Sequence, residues 1–464
     1  MSFQPSCSNI KTPLSSIELE YITKDKTQWH QKSKLNIKYA PAKDSIAIFN
    51  GFTPIHDKLI VSAINSLGKN FIALPTPDFE AFARGKIFGN KGQCNPAYFT
   101  VGNLIKYLQN LRDKEKIPTK EIIERYFLVT VGGCGPCRFG MYITEYKKAL
   151  KDAGFDGFRV TNFDHEKGIF QKIDNKLIEF NPKFFITLTK AVIIGDILNI
   201  IGYKLRPYEI EKGSTNQALN QCKNIISNAF LDKKSLTIAM YKCQKIIKNI
   251  KIDKKQTKPI VMVMGEFWAT ITEGDGNYNL HKFLELEGAE CIPQPLINRL
   301  LLNIWEAEYK LNQQKEIAID TDKTIDFSQA KSKILIRLAK IALLSHFKLY
   351  SKVIGLKDYK IANMEYLSKL AKPYYPLDVN GGEGFLEVAH LIEAIQNNLA
   401  HLVISIKPFG CMPSSAVSDG IQSLVVNRFP SANFLSIETS GEGSANFYSR
   451  VQMALFKAKE RVKN

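Results

Sequence analysis

The chain has 464 residues, 45% of them hydrophobic, so it is long enough for two or three domains and core size is not limiting. Its 63 Lys and Arg against 45 Asp and Glu leave a net charge of +18, which suits an acidic partner. The lysines are spread through polar helical stretches such as 242–255 and are not interleaved with stacking aromatics, so the expectation is a solvated basic surface rather than a nucleic-acid groove. CoA phosphates or an acidic protein would be served equally by it.

Residues 1–44 read as a polar lead-in. The opening MSFQPSCSNIKTPLSSIELEY has no apolar run of signal-peptide length behind a basic start, and a soluble cytoplasmic protein is expected. An α/β domain follows over 45–163. It contains strands at 45–49 and 70–74 with a helix at 56–66 between them, and a strand at 125–131. After that strand come a CGPC loop, a helix carrying Met141, Tyr142, Tyr146, Ala149, Leu150 and Ala153 at helical spacing, and a strand at 157–162. Residues 164–257 read as a helical connector, with helices at 185–201, 215–230 and 234–250 and no convincing strand. Its most apolar part, 184–202, is interrupted by Lys190 and Asp196 and reads as a buried helix rather than a membrane span. A second α/β domain occupies 258–464. It opens on the strand PIVMVMG (259–265), has a helix near 280–287 and a strand at 290–293, and is interrupted by a helical insertion at about 298–370. It resumes with a helix at 387–400, a strand at 401–406, the loop FGCMPSS, a helix to about 429, a strand at 433–437 and a closing helix at 446–461.

The cysteines sort by position. Eight cysteines in a chain of this length are poor evidence for a disulfide framework and better evidence for reactive, metal-binding or buried thiols. Cys134 and Cys137 follow a strand and precede a helix, Cys411 does the same, and Cys94 precedes an apolar-striped helix. In an open α/β sheet such loops border the binding crevice, where helix N-termini present unpaired N–H groups that stabilise thiolates and anionic clusters. Cys222 and Cys243 on helices, Cys291 in a strand and Cys7 in the lead-in read as buried or incidental thiols.

Three chemistries fit the loop cysteines. Thiol-disulfide exchange needs an attacking Cys at a helix start and a second Cys three residues on, which Cys134 and Cys137 supply, but that leaves Cys94 and Cys411 idle. A zinc site would want a second CxxC half or a paired histidine, and neither is present. Iron-sulfur ligation by thiolates from separate loops fits at least as well as zinc, and spacing does not separate the two metals.

The segments GQCNPAYFTVGNLIKYL, GPCRFGMYITEYKKALKDAGF, NGGEGFLEVAHLIEAI with IKPFGCMPSS, and GEFWATITEGDGNYNLHKFLELEGAE resemble the 2-hydroxyacyl-CoA dehydratase and benzoyl-CoA reductase family of iron-sulfur proteins, closest to its dehydratase-like modules in activase-fused homologues. The likeness covers about 45–464. It implies two flavodoxin-like α/β domains with a 4Fe-4S or double-cubane cluster between them, ligated by Cys94, Cys137 and Cys411. Cys134 departs from the pattern and is carried as a further metal candidate, while the PCRFG match assigns the ligand to Cys137. The resemblance further implies a lyase or oxidoreductase component, an acyl-CoA substrate and a separate ATP-dependent iron-sulfur activator that supplies low-potential electrons. It also implies a homologous partner subunit or a homodimer. The chain has no GxxxxGK[ST] loop, so it would be the recipient of those electrons. A cluster-binding module without its own substrate is the third reading. Among other residues, Glu383 reads as a helix-start carboxylate, Ser414 and Ser415 as helix caps, and Arg138 as either solvated or offsetting cluster charge. Glu266 and Asn279 have no assignable role, and no catalytic acid or base is assigned.

Overall fold

β-Branched and aromatic runs of three to seven residues become the strands of two sheets in a computed structural model that describes residues 45–132, 137–163, 171–173, 178–253, 255–319, 327–357, 359–379 and 381–463. The first sheet is assembled from β1 (Ile46–Phe49), α1 (Pro54–Asn65), β2 (Phe71–Ala73), α2 (Phe79–Phe88), α3 (Asn95–Asp113), α4 (Thr119–Arg125) and β3 (Tyr126–Val131). A 3-10 turn at Arg138–Met141, α5 (Tyr142–Asp152) and β4 (Arg159–Phe163) complete it. Its order is β2-β1-β3-β4, with every pairing parallel.

A short antiparallel pair, β5 (Gln171–Ile173) with β6 (Ile178–Phe180), leads into α6 (Pro182–Leu205), α7 (Ser214–Leu231) and α8 (Leu236–Lys248). The sequence reading expected no convincing strand in the connector before residue 257. Three residues are too few for a period-two pattern to show, so β6 is legible only through its pairing. The second sheet follows with β7 (Ile260–Gly265), α9 (Phe267–Ile271), α10 (Leu280–Leu286), β8 (Glu290–Ile292), α11 (Leu296–Ile319), α12 (Phe327–Ile354), α13 (Met364–Ala371) and α14 (Gly384–Gln396). It closes with β9 (Leu402–Pro408), α15 (Met412–Ala416), a π-helical turn at Val417–Gln422, α16 (Ser423–Arg428), β10 (Phe434–Thr439) and α17 (Ser444–Lys463). Its order, β8-β7-β9-β10, is again all parallel.

Both sheets therefore share a 2-1-3-4 order, consistent with the flavodoxin-like parallel sheets that the resemblance implied. Such an order reverses direction between the first and third strands, and the crevice beyond their carboxyl ends is where ligands bind. Here those ends are β1 and β3 in one sheet and β7 and β9 in the other. The parallel arrangement follows from the sequence: β9 is buried at every position and β7 at all but its first, as expected for strands covered by helices on both faces.

The apolar stretch at 184–202 lies inside α6, which is buried from Ala191 to Tyr203. The segment Pro182–Tyr208 is long and apolar enough to cross a membrane, yet 67% of its apolar window is buried within the protein. A helix that is hydrophobic on all faces is a core helix when other elements surround it. Asp196 is accommodated there by three partners: its carboxylate accepts from the Leu296 and Ile297 N–H groups at 2.8 Å each and lies 3.2 Å from His56 Nε2. Two local expectations are corrected. Met141 is exposed, because residues 138–141 form the 3-10 turn and the core-facing stripe starts at Tyr142. The run after the FGCMPSS loop is not one helix, since the π turn widens it between α15 and α16.

Candidate functional site

Cys94, Cys137 and Cys411 each occupy the position just before a helical turn: α3, the 3-10 turn 138–141 and α15, respectively. None of the three side chains caps its helix. Ser, Thr, Asp or Asn would turn back there to accept from the first backbone N–H groups. A thiol is a poor acceptor, so each sulfur is left to face other groups while the helix start adds partial positive charge.

The loops meet across the two sheets. Asn95 N–H donates to the Phe409 carbonyl at 3.0 Å, and Asn95 Nδ2 donates to the Thr439 carbonyl at 2.7 Å, which ties the start of α3 to the ends of β9 and β10. Gly410 has φ +75°, and a Cβ there would stand 3.1 Å from the Cys94 Cα, so the Cys411 turn presses directly on the Cys94 backbone. Arg138, next to Cys137, donates through Nη1 to the Gly92 carbonyl at 2.8 Å. The Glu266 carboxylate, at the end of β7, acts electrostatically on all three thiols, and Cys94 acts on Cys137. The structure thus packs the Cys411 turn against the Cys94 backbone, ties the residue after Cys137 to the loop before Cys94, and sets Cys137 within electrostatic reach of Cys94. Cys134 and Cys7 lie outside the described residues, and Cys222, Cys243 and Cys291 are buried elsewhere among helices and in β8.

Several groups that organise this place were not visible in the sequence reading. Glu145 is buried and its carboxylate accepts from Asn90 N–H (3.1 Å), Asn90 Nδ2 (2.6 Å) and Gln93 Nε2 (3.1 Å), which fixes the loop leading to Cys94. Tyr98 holds the same loop, donating to the Asn90 carbonyl and accepting from Gln93 N–H. Tyr142 places its hydroxyl 3.0 Å from Cys94 Sγ. A tyrosine and a glutamate spaced 142, 145 on the helix after a cysteine loop was the available signal, but core packing explains the same spacing.

Other expectations are revised. Ser414 does not cap α15; it is buried and donates to Glu387 Oε1 at 2.6 Å. Glu383 does stand at the start of α14, but its side chain pairs with Arg299 at 2.9 Å and accepts from the Phe267 N–H at 3.3 Å. Arg138 is not wholly solvated, because its Nε is buried without a partner. Glu266 caps α9 through Ala269 N–H at 2.8 Å. Asn279 sits at φ +54° in the turn before α10 and belongs to that turn.

The electrostatics favour neutral thiols in the protein alone. Burial pushes Cys137 up to about 11, and burial raises Cys94 and Cys411 as well, against weaker help from the Tyr142 hydroxyl and from Ser414. Burial with the nearby Glu383 charge raises Glu266 to about 7, and burial raises Glu387 to about 8. Such thiols are not activated for disulfide exchange, which needs a depressed value. They become good ligands once a cationic centre displaces the proton.

The donor chemistry fits an iron-sulfur group: three thiols from three loops, helix starts that offset negative charge, and an unpartnered Arg138 Nε. Among the described residues, no three His, Cys, Asp or Glu side chains are gathered closely enough to hold a single metal ion. No protein-family model and no curated protein matches this chain.

Proposed function

We propose that the chain is the iron-sulfur component of a dehydratase- or reductase-type enzyme, holding a 4Fe-4S or double-cubane cluster on Cys94, Cys137 and Cys411, with Cys134 as a further candidate ligand. The observation that supports this reading is the convergence of three loops that each carry a cysteine at a helix start, drawn from both sheets, with Cys137 and Cys411 following the strands at which each flavodoxin-like order reverses. When bound, the cluster supplies low-potential one-electron chemistry and Lewis acidity at an iron that lacks a thiolate.

The protein's own residues have separable tasks in this reading. The Gly410 turn and the Asn95 contacts set the separation of the thiols. Tyr142 donates a hydrogen bond to Cys94, and Arg138 faces the added negative charge. Glu266 and Glu387, held protonated up to about neutral pH, keep carboxylate charge away from an anionic centre. The resemblance in GQCNP, PCRFG and FGCMPSS supports an acyl-CoA substrate, a cytoplasmic setting, a separate ATP-dependent activator as electron source, and a homologous or identical partner subunit.

Anaerobic purification or reconstitution is expected to give a brown protein with iron and acid-labile sulfide in similar amounts, EPR-active on reduction. Cys94→Ala, Cys137→Ala and Cys411→Ala should each lose iron, while Cys222→Ala and Cys291→Ala keep it. A colourless protein that takes up only zinc overturns the reading.

A further inference from the structure

Helix α12 is apolar on two opposite sides. Its inner side, Leu343, Phe347, Tyr350 and Ile354, is buried in the core that α6 and α8 share. A helix with one buried stripe ordinarily turns polar residues to water on the other side. Here the outward side carries Ile334, Leu335, Leu338 and Ile341, which are between 57% and 61% exposed, with Leu349 further along at 46%. At about 100° per residue these five fall within an arc of about 120°, and from Ile334 to Leu349 the stripe runs about 22 Å. An exposed apolar surface of this extent, continuous along one helix, marks a place of contact.

Charge on this helix has one sign. α12 carries Lys331, Lys333, Arg337, Lys340, Lys348 and Lys352 and no Asp or Glu. The neighbouring α8 adds Lys242, Lys245 and Lys248, again without an acidic residue. Arg337 and Lys340 are engaged by Glu308 of α11 and Glu365 of α13. Lys331, Lys348 and Lys352 are exposed, and helical spacing places them on or beside the outward arc.

These features select the occupant. Two copies of α12 laid together would set cation against cation with no acid between them. The lead-in, residues 1–44, has seven Lys against four Asp and Glu and is repelled in the same way. An amphipathic protein helix finds its register in a groove or through paired edge charges of both signs, and a single outward helix face without acids offers neither. A plane of anionic headgroups needs no register. It takes apolar side chains between the headgroups and cations at their level, with the long lysine stems lying along the apolar face.

We propose that the outward face of α12 docks on an anionic membrane surface. Ile334, Leu335, Leu338 and Ile341 enter the headgroup layer, and Lys331, Lys348 and Lys352 meet the lipid phosphates. The association is peripheral, since the inner face of the same helix stays in the core. It goes beyond the iron-sulfur reading and does not depend on it.

Sedimentation of the full-length protein with vesicles of phosphatidylcholine alone, and of phosphatidylcholine mixed with phosphatidylglycerol, tests it. The protein should pellet with the mixed vesicles and not with phosphatidylcholine alone, and added salt should weaken the binding. A chain of net charge +18 is attracted to any anionic surface, so the variants decide. Leu335→Gln/Leu338→Gln, at exposed positions, should lower vesicle affinity about tenfold with an unchanged thermal midpoint. Lys331→Gln/Lys348→Gln/Lys352→Gln should lower it about 100-fold, from about fivefold for each cation at such a surface. Lys114→Gln/Lys120→Gln/Lys457→Gln removes the same charge from exposed positions on other parts of the chain and should keep most of the binding. Equal losses in the two lysine variants reduce the effect to net charge and overturn the proposal. So do undiminished binding in the leucine variant, failure to prefer phosphatidylglycerol vesicles, a self-association that the leucine variant abolishes, or binding of an acidic amphipathic peptide in preference to vesicles.

Discussion

Cys94 Sγ lies 3.0 Å from the Tyr142 hydroxyl, a contact that joins the start of α3 to the first residue of the helix that follows Cys137. Burial holds the phenol proton on Tyr142 well above its ordinary range, so the hydroxyl keeps a proton to donate to the sulfur once the Cys94 thiol ionises. Tyr142→Phe should lower stability by about 1 kcal/mol, the usual net worth of one such bond. The same variant should also slow alkylation of Cys94 by iodoacetamide at pH 8 to 9, because the thiolate loses its donor. Peptide mass spectrometry after timed labelling reads the second effect separately from unfolding.

The Gly410 turn is expected to be intolerant of a side chain. At φ +75° with Cys94 Cα at 3.1 Å from the added carbon, Gly410→Ala combines backbone strain with a contact against backbone that does not yield. A loss of about 1–3 kcal/mol in urea unfolding is expected, together with faster alkylation of Cys94 and Cys411 as the two loops part. A variant with unchanged labelling rates would show that the turn does not govern their separation.

Buried carboxyls set a direction for pH dependence. Asp57, Glu266 and Glu387 hold their protons up to about 7, 7 and 8 in the folded chain, against ordinary values of 3.8 for Asp and 4.5 for Glu. The folded state therefore binds more protons than the unfolded one between about pH 4 and 8. Stability of the metal-free protein should be full below that window and fall as pH rises through it, by up to about 1.4 kcal/mol per unit for each group. Urea midpoints measured from pH 5 to 8.5 should decline, and Glu387→Gln should flatten the upper part of the decline.

Asp196 offers a stability test away from the thiols. It is 2% exposed and serves His56 and the first two N–H groups of α11 at once. Asp196→Ala removes a buried charge and strands those donors, for a cost of about 3–5 kcal/mol. Asp196→Asn, which keeps an acceptor oxygen, should cost less. Equal urea midpoints for the wild type and Asp196→Ala would contradict the packing described for α6.

The strands β7 and β9 were legible because they are buried on both faces and read as unbroken apolar runs, PIVMVMG and HLVISI. The sheet order was not legible from any single run; it became an expectation only through the likeness of four segments. Cys94, Cys137 and Cys411 stood out because glycines and prolines surround thiols at helix starts. Glu145, Glu387 and Arg299 did not stand out, since a charged residue on a helix looks solvated until tertiary packing buries it. Ser414 was misread for a related reason: Ser after a strand suggests a cap, and only the buried Glu387 carboxyl across from it diverts the hydroxyl.

The donor set draws on both ends of the described chain, with Cys94 and Cys137 in the first sheet and Cys411 after β9 in the second. A polypeptide emerging from the ribosome carries two of these thiols long before the third exists. Any centre they share must be installed after synthesis has passed residue 411 and the two sheets have docked, so a chain truncated ahead of β9 should take up no such centre.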